Sequence, residues 1–320
     1  RRCAYSWLQT VVRLDRSLRW RRMELSTTSR LARRLGSVLE PVIGQVYFSP
    51  DCHANYVALG FDPSPGDANG VALPDGPAYF ASRGSLLGQV PGEVIAAAFG
   101  VFSPAVVVPS VRLAWTRTDA VTIREARADG AVGQLRRLLG EHPDGVERAL
   151  ELLQPAAAAL SINGRPLAAG VAALDVPEDP LAAVWHVGDF LREYRGDCHN
   201  AAWVASGLSA TDIGMLTELS WGMPARSYSR TRGWTDDEFD RSEHHLRDLG
   251  YLDGEGADTH LSQQGRHARE QIEVATDEQM RRALRALGSD IEELFYILAP
   301  WDEGIRAGKG YLGSGPHDLG

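Results

Sequence analysis

Cysteine is scarce in this chain, long apolar runs are missing, and the familiar phosphate-binding and metal-binding motifs are absent. Three Cys among 320 residues are too few for a disulfide framework, so a reducing cytoplasm is the expected location. The longest apolar stretch, Pro91 to Pro109, is interrupted by Gly, Pro and Glu and falls short of the roughly 20 residues that cross a bilayer; no membrane partner is expected. No G-x-x-x-x-G-K-[ST], G-x-S-x-G or H-E-x-x-H is present, which removes the phosphate-loop, hydrolase and zincin readings. C-x2-C spacing is also lacking. Within Cys52-His53 and Cys198-His199 the two side chains would point about 100° apart on a helix, so neither a metal nor a cofactor is expected.

Charge is unevenly placed. Residues 1–22 carry seven Arg and one Asp, yet the whole chain has a formal net charge of -9. An acidic body disfavours nonspecific attraction to nucleic acid. Residues 1–22 lack the apolar run of a secretory signal; Met23 reads as a start, and residues 1–25 as an extension expected to be disordered. With 44% hydrophobic residues, the remainder can bury a large core.

Helical periodicity dominates what is there. Ser26 or Thr27 can cap a helix running to Gly44, Ser49 or Asp51 a short one running to Leu59, and Pro91 opens a buried helix. Val106–Trp115 is β-branched and reads as strand or buried helix. Further helices are expected over 122–139, 145–160, 210–219, 236–249 and 265–280. The short runs on either side of the Gly-rich tip D-G-E-G-A-D read as a β-hairpin wing, and Ala307–Gly320 as a fraying tail. The fold class is mainly α with small β wings.

The densest chemistry lies in Trp185–Gly207, W-H-V-G-D-F-L-R-E-Y-R-G-D-C-H-N-A-A-W-V-A-S-G. His186, Glu193 and Asp197 share a face at helical spacing. The plain reading is a solvated face of weak surface ion pairs formed by Arg192, Glu193 and Arg195. The sharper one places His186, Glu193, Asp197 and His199 around a pocket, with a carboxylate fixing an imidazole as general base or ligand partner.

Asp51-Cys52-His53 matches Asp197-Cys198-His199, and Arg83 and Arg232 follow the two histidines by 30 and 33 residues. Two matched pairs in register point to a tandem pseudo-twofold repeat of winged-helix-like units. The units would be residues 26–130 and 181–300, joined by a helical connector at 131–180 and followed by a flexible tail at 301–320. Both D-C-H corners would then open short helices, with Asp51 and Asp197 as caps and His53 and His199 in first turns that favour anions. Arg83 and Arg232 would bind charge or hold loops. Cys52 and Cys198 are candidates for substrate contact, or simply small buried residues.

Helices 210–219 and 236–249, followed by L-G-Y-L-D-G-E-G and H-L-S-Q-Q-G-R, resemble the winged-helix domain of MarR-type proteins. The segment Trp185–His199, with Y-F-A-S-R upstream and R-G-W-T-D-D-E-F downstream, resembles a group of actinobacterial helix-turn-helix proteins. That resemblance implies the fold but carries no activity. The helix that would read DNA begins T-D-D-E-F-D-R-S-E, and the wing tip has neither Arg nor Lys, so DNA is not the expected partner.

The function expected is a cofactor-free enzyme of specialised (antibiotic) metabolism acting on a small anionic substrate at the repeat interface. Its reaction would be displacement or elimination of an anionic group such as sulfate, as in aziridine-type ring closure, with a small partner protein or carrier protein as a second component. His199, His186 and His53 would act as acid, base or orienting groups, supported by Asp197 and Glu193. Arg83, Arg232, Arg192, Arg195, Asp51, Cys52 and Cys198 would contact substrate. The alternatives are a ligand-responsive MarR-like regulator and a ligand-sequestering resistance protein.

Overall fold

A computed structural model describes residues 26–312 of the chain; the expected extension at 1–25 and the last residues of the expected tail lie outside the described residues. The elements are α1 (Thr27–Gly44), α2 (Pro50–Ala58), β1 (Asp67–Ala68), β2 (Val71–Ala72), α3 (Gly76–Gly84), α4 (Gly92–Phe99), α5 (Pro104–Ala114), α6 (Ala120–Leu139), α7 (Val146–Ala158) and α8 (Pro166–Ala172). Then come α9 (Pro180–Ala205), α10 (Ala210–Ser220), α11 (Asp236–Asp248), β3 (Leu252–Asp253), β4 (His260–Leu261), α12 (Gln263–Gln279), α13 (Arg281–Leu287) and α14 (Ile291–Ala307). The fold is mainly α, with two small antiparallel strand pairs: β1 with β2, and β3 with β4 in the register Leu252 opposite Leu261.

Local chemistry explains most boundaries. Ser26, Ser49, Asp75, Ser103, Asp119, Asp179, Ser209, Thr235 and Ser262 each accept a backbone N–H in the first turn of the following helix, satisfying donors that the helix itself leaves unpaired. Proline occupies the first turn of α2, α3, α5, α8 and α9, where its missing N–H costs nothing. Val106–Trp115, ambiguous by periodicity, falls in helix α5 and its cap because Ser103 and Pro104 start it as one.

Helix α9, 26 residues long and therefore about 39 Å, is the post around which the others stand. Its N-terminal two-thirds contribute Leu181, Val184, Trp185, Phe190, Leu191 and Tyr194 to the main core. Its last turns send Ala202 and Trp203 into a second core with Ile213, Leu216, Phe239 and Leu246, which is the unit built from α10, α11, the β3–β4 hairpin and α12. A third cluster, Phe80, Ile95, Phe99, Phe102, Val107 and Val111, holds α3, α4 and α5 together. Helices α2 and α6 pack unusually closely at Gly130, where a Cβ would stand 2.5 Å from the Cys52 backbone.

Residues 301–312, within the stretch expected to be a flexible tail, are packed. Trp301 and Ile305 are buried in the main core, and Tyr311 is buried with its hydroxyl 3.1 Å from Glu40. The apolar spacing of α14 carries on past Leu298 into these residues, and the aromatic at 311 anchors the turn behind it.

The core also holds charge. Arg127 on α6 and Asp189 on α9 are each 2% exposed and make two parallel hydrogen bonds of 2.8 and 2.9 Å, with the guanidinium also over Trp185. Removing one partner of such a pair leaves a desolvated charge and costs about 3–5 kcal/mol, whereas replacing both with apolar groups is often tolerated. Arg127→Met and Asp189→Leu are each expected to lower unfolding free energy in urea by about that amount, and the double variant by clearly less than the sum. Single variants within about 1 kcal/mol of wild type would show that the pair is not a constraint on the fold.

Candidate functional site

Helix α9 does not break where the repeat reading requires. Asp197, Cys198 and His199 lie inside it, with no cap or breaker between Asp179 and Ser206, whereas Cys52 and His53 open α2 behind a Ser49 cap. The two D-C-H corners therefore have different local structures and line separate cavities. His53 shares a space of only ≈ 10 Å³ with Tyr47, Tyr56 and Asp75, and its Nε2 meets the Tyr47 carbonyl at 3.1 Å. His199 lines the other cavity, and the two have no lining residue in common.

Most of the charge on α9 is spent on neighbouring helices. Glu193, fully buried, takes two hydrogen bonds from Arg83 on α3 at 2.9 and 2.6 Å and one from the Tyr47 hydroxyl at 3.2 Å. Burial alone would raise its pKa, but Arg83 and then Arg192 outweigh that and hold the carboxyl low. Arg192 forks onto Glu40 of α1 at 2.8 and 2.9 Å. Arg195 meets Glu273 and Asp277 of α12, and Arg33 joins the same Asp277 at 2.8 Å. These are neither a solvated face nor an open binding surface; they are interhelical ties.

Asp197 does cap a helix, but across space: its Oδ2 accepts the Leu167 and Ala168 N–H groups of α8 at 3.0 and 3.1 Å. Asp51, by contrast, is no cap; Ser49 takes that role, and Asp51 forms a half-exposed pair with Arg137. Burial pushes the two thiols up, Cys52 to about 12 and Cys198 to about 11. Neither is a nucleophile at neutral pH, and mid-helix placement denies Cys198 the dipole that would have lowered its pKa. Burial lowers the pKa of His186, with Asp189 opposing, and His186 shares no cavity with His199.

Two of the expected residues do converge. His199 and Arg232 line one cavity of ≈ 150 Å³, with Thr217 on α10 and Trp221, Tyr228 and Trp234 from the connector between α10 and α11. A dry cavity of that size holds a single benzene ring. The connector follows a defined path: buried Glu218 accepts the Ser229 N–H at 2.8 Å, the Ser229 hydroxyl at 2.9 Å and the Arg226 N–H. At its far end Trp234 donates to the Val101 carbonyl at 2.9 Å, and the Ser103 N–H donates to the Arg232 carbonyl at 2.9 Å. Gly233 adopts φ +80 against Val106, where a Cβ would stand 2.7 Å away, so a side chain there would be both strained and crowded.

Arg232 bonds to the Tyr228 hydroxyl and lies over the rings of Phe102 and Tyr228, 4.6 and 4.5 Å from their centroids. Among the described residues it meets no carboxylate, in contrast to Arg83, Arg127, Arg192 and Arg195. Burial raises the Tyr228 pKa and the Arg232 charge opposes it. Burial brings His199 down to about 4, with Glu273 opposing and Arg269 and Arg195 adding to the fall, so the imidazole is neutral at physiological pH. No group of three or more His, Cys, Asp or Glu placed to hold a metal ion occurs among the described residues.

The order α10, connector, α11, β3–β4 hairpin, α12 is that of a winged helix whose second and third helices are joined by an unusually long link. The sequence profile of the helix-turn-helix family matches residues 32–312. The chain belongs to that family. No curated protein and no solved structure matches it.

A helix-turn-helix turn normally spans three or four residues; between α10 and α11 residues 221–235 intervene and supply one wall of the cavity. Trp221, Tyr228, Trp234, Thr217 and Thr276 were not among the residues singled out from sequence. The signal for the first three was W-G-M-P-A-R-S-Y-S-R-T-R-G-W itself, an aromatic and arginine-rich connector too long for a turn. On α11 the exposed charges are Asp236, Asp237, Asp240 and Asp248 against Arg241, and no helix among the described residues is long and apolar enough to cross a membrane.

Asp197 offers a check on the buried polar ties. Burial raises its carboxyl to about 6. A carboxyl whose pKa is higher folded than unfolded stabilises the fold when protonated, so its contribution is full below about pH 4 and is lost as pH rises through about 6. Asp197→Asn keeps an acceptor for α8 and carries no charge. It should match or exceed wild-type stability by about 1–2 kcal/mol at pH 8, with the gap closing by pH 4 in denaturant titrations. A gap that does not change between pH 4 and 8 would mean that Asp197 is not the titrating group.

Proposed function

We propose that this helix-turn-helix family member binds a small anionic molecule with an apolar part of about one ring, in the cavity between α9, α10 and the 221–235 connector. The carrying observation is Arg232: a half-buried cation set on two aromatic faces, without a carboxylate, in a cavity walled by two tryptophans. A half-buried guanidinium that meets no carboxylate among the described residues keeps its donors open to an anionic ligand. Planar guanidinium takes a carboxylate, sulfate or phosphate through two parallel hydrogen bonds.

Enzymatic turnover at this site would place a further demand on Arg232. Arg232 would take up the charge of an anion leaving the substrate, sulfate included, as displacement or elimination requires. His199, neutral with a low pKa, is poorly suited to store a proton at pH 7, so any base in such a reaction would have to be another group or the substrate's own amine.

Regulation of transcription is the second reading, favoured by the family and by the order of α10, α11, hairpin and α12. The acids on α11 and the acidic hairpin tip, Asp253, Glu255 and Asp258, argue against phosphate contact. Gel-shift titration with the DNA upstream of the protein's own gene should give no specific shift at either low or physiological salt; a tight, salt-sensitive specific complex would replace the ligand-binding proposal with the regulatory one.

Benzoate and phenyl sulfate are suitable probes, with benzyl alcohol as the neutral control. By calorimetry the two anions should bind, the alcohol at least tenfold more weakly, and Arg232→Gln should weaken anion binding by roughly 10- to 100-fold, the loss of a charge-assisted bidentate contact. Equal affinity for benzoate and benzyl alcohol, or an Arg232→Gln variant that binds as wild type, would refute the anion site.

A further inference from the structure

The hydrogen bonds around His199 fix more than its position. Its Nδ1 lies 3.3 Å from the Thr276 hydroxyl oxygen. That hydroxyl has a single proton, which it donates to the Ile272 carbonyl at 2.9 Å one turn back along α12. A carbonyl can only accept, so with the Thr276 proton on Ile272 the Thr276 oxygen faces Nδ1 as an acceptor, the arrangement in which Nδ1 carries the proton. The neutral imidazole therefore has its lone pair on Nε2, to which no protein group among the described residues donates, and the ring lines the cavity that also holds Arg232.

We infer that His199 is the specificity-determining acceptor of this pocket: the ligand carries, besides its anionic group, an un-ionised O–H or N–H donor that bonds to Nε2, and Thr276 is the positioning residue that fixes the tautomer. The inference rests on the anion-binding reading of the same cavity and narrows it to donor-bearing acids, such as hydroxy-acids, hydroxyaryl carboxylates or amide-bearing anions. An acid without a donor would leave a desolvated Nε2 unpaired, which is how a polar pocket rejects an analogue lacking the matching group. The charges facing His199 keep the acceptor available. Arg195 on α9 and Arg269 on α12 oppose an imidazolium, Glu273 on α12 favours one, and Arg232 and Tyr228 stand across the cavity. Burial decides the balance, so Nε2 stays unprotonated at neutral pH. Arg269 also donates to Thr217 at 3.1 Å and pairs with Glu273, tying α10 to the helix that carries Thr276.

Two measurements on the full chain separate this inference from the reading beneath it. In long-range proton–nitrogen spectra of labelled protein, with His199→Gln giving the assignment, His199 should show a protonated Nδ1 and an unprotonated Nε2 from pH 5 to pH 8. Thr276→Ser should retain that tautomer and Thr276→Val should lose the preference. An Nε2-protonated ring, or an imidazolium at pH 7, overturns the inference whatever binds. In calorimetry at pH 7, 3- or 4-hydroxybenzoate should bind on the order of tenfold tighter than benzoate, the corresponding methoxybenzoates should not, and the gain should vanish in His199→Phe and Thr276→Val but persist in Thr276→Ser. Hydroxybenzoates no tighter than benzoate, with Arg232→Gln still weakening benzoate, would overturn the donor requirement and leave the anion site standing. If none of these acids binds, the anion site and the donor requirement fall together.

Discussion

Desolvated charge on one long helix is the constraint on which the rest of the structure depends. Helix α9 buries Asp189, Glu193 and Asp197 and half-buries Arg192 and Arg195, and a charge removed from water needs a partner of good geometry. Each partner comes from a different place: Arg127 of α6, Arg83 of α3, the α8 N–H groups, Glu40 of α1, and Glu273 and Asp277 of α12. Satisfying all of them at once leaves little freedom in how five helices stand around the sixth. Such ties add little net stability over apolar packing, since desolvation offsets much of the Coulomb gain; their effect is to penalise every other arrangement. We therefore assign them to the register of the bundle.

Arg232 is held in a different way. Aromatic faces and a phenol hold it, at the point where α9 passes from the main core into the winged unit. The seam is a natural place for a cavity because two cores end there: Trp203 belongs to one and Tyr194, nine residues earlier, to the other. The connector that walls it is anchored at both ends, by Glu218 within the winged unit and by Val101 and Ser103 of the α4–α5 link in the helical body. A ligand there touches both parts of the chain at once.

The helices were largely legible in the sequence because their start signals are local: Ser26, Ser49, Pro91 and the D-G-E-G-A-D tip act on residues within a turn of themselves. The importance of Trp185–Gly207 was legible too, since so much ionisable chemistry inside an apolar stretch must be either paired or functional. What it pairs with was not, because Arg83, Arg127 and Glu40 lie scores of residues away and nothing in α9 names them. Asp197 shows the limit well. Capping was the right chemistry, yet the capped helix is α8 and not its own. The D-C-H match misled for the same reason: three identical letters open a helix behind Ser49-Pro50 but sit mid-helix at 197–199, where no cap precedes them. Of the arginine pair, Arg83 became a structural tie and Arg232 the anion candidate, a division decided by whether a carboxylate happened to fold opposite.

The winged unit carries its charge in an unexpected place. In a DNA-reading helix the unpaired N–H groups and positive end of the dipole are assets, since they attract phosphate. At the start of α11 one of those groups, the Glu238 N–H, is already taken by the Thr235 side chain. Thr235 and Glu238 form a reciprocal capping box, with the Glu238 carboxylate returning to the Thr235 N–H at 2.8 Å, and Asp236 and Asp237 add negative charge to the same turn. The features that stabilise α11 as a helix thus add negative charge to the turn at which a DNA-reading helix would approach phosphate. The preceding element is long: where a tight turn would present α11, the 221–235 connector places Trp221, Tyr228, Arg232 and Trp234 around one cavity with His199 of α9. Within that unit Arg232 is the arginine that lines the ring-sized cavity, and the small anion we propose would meet it there.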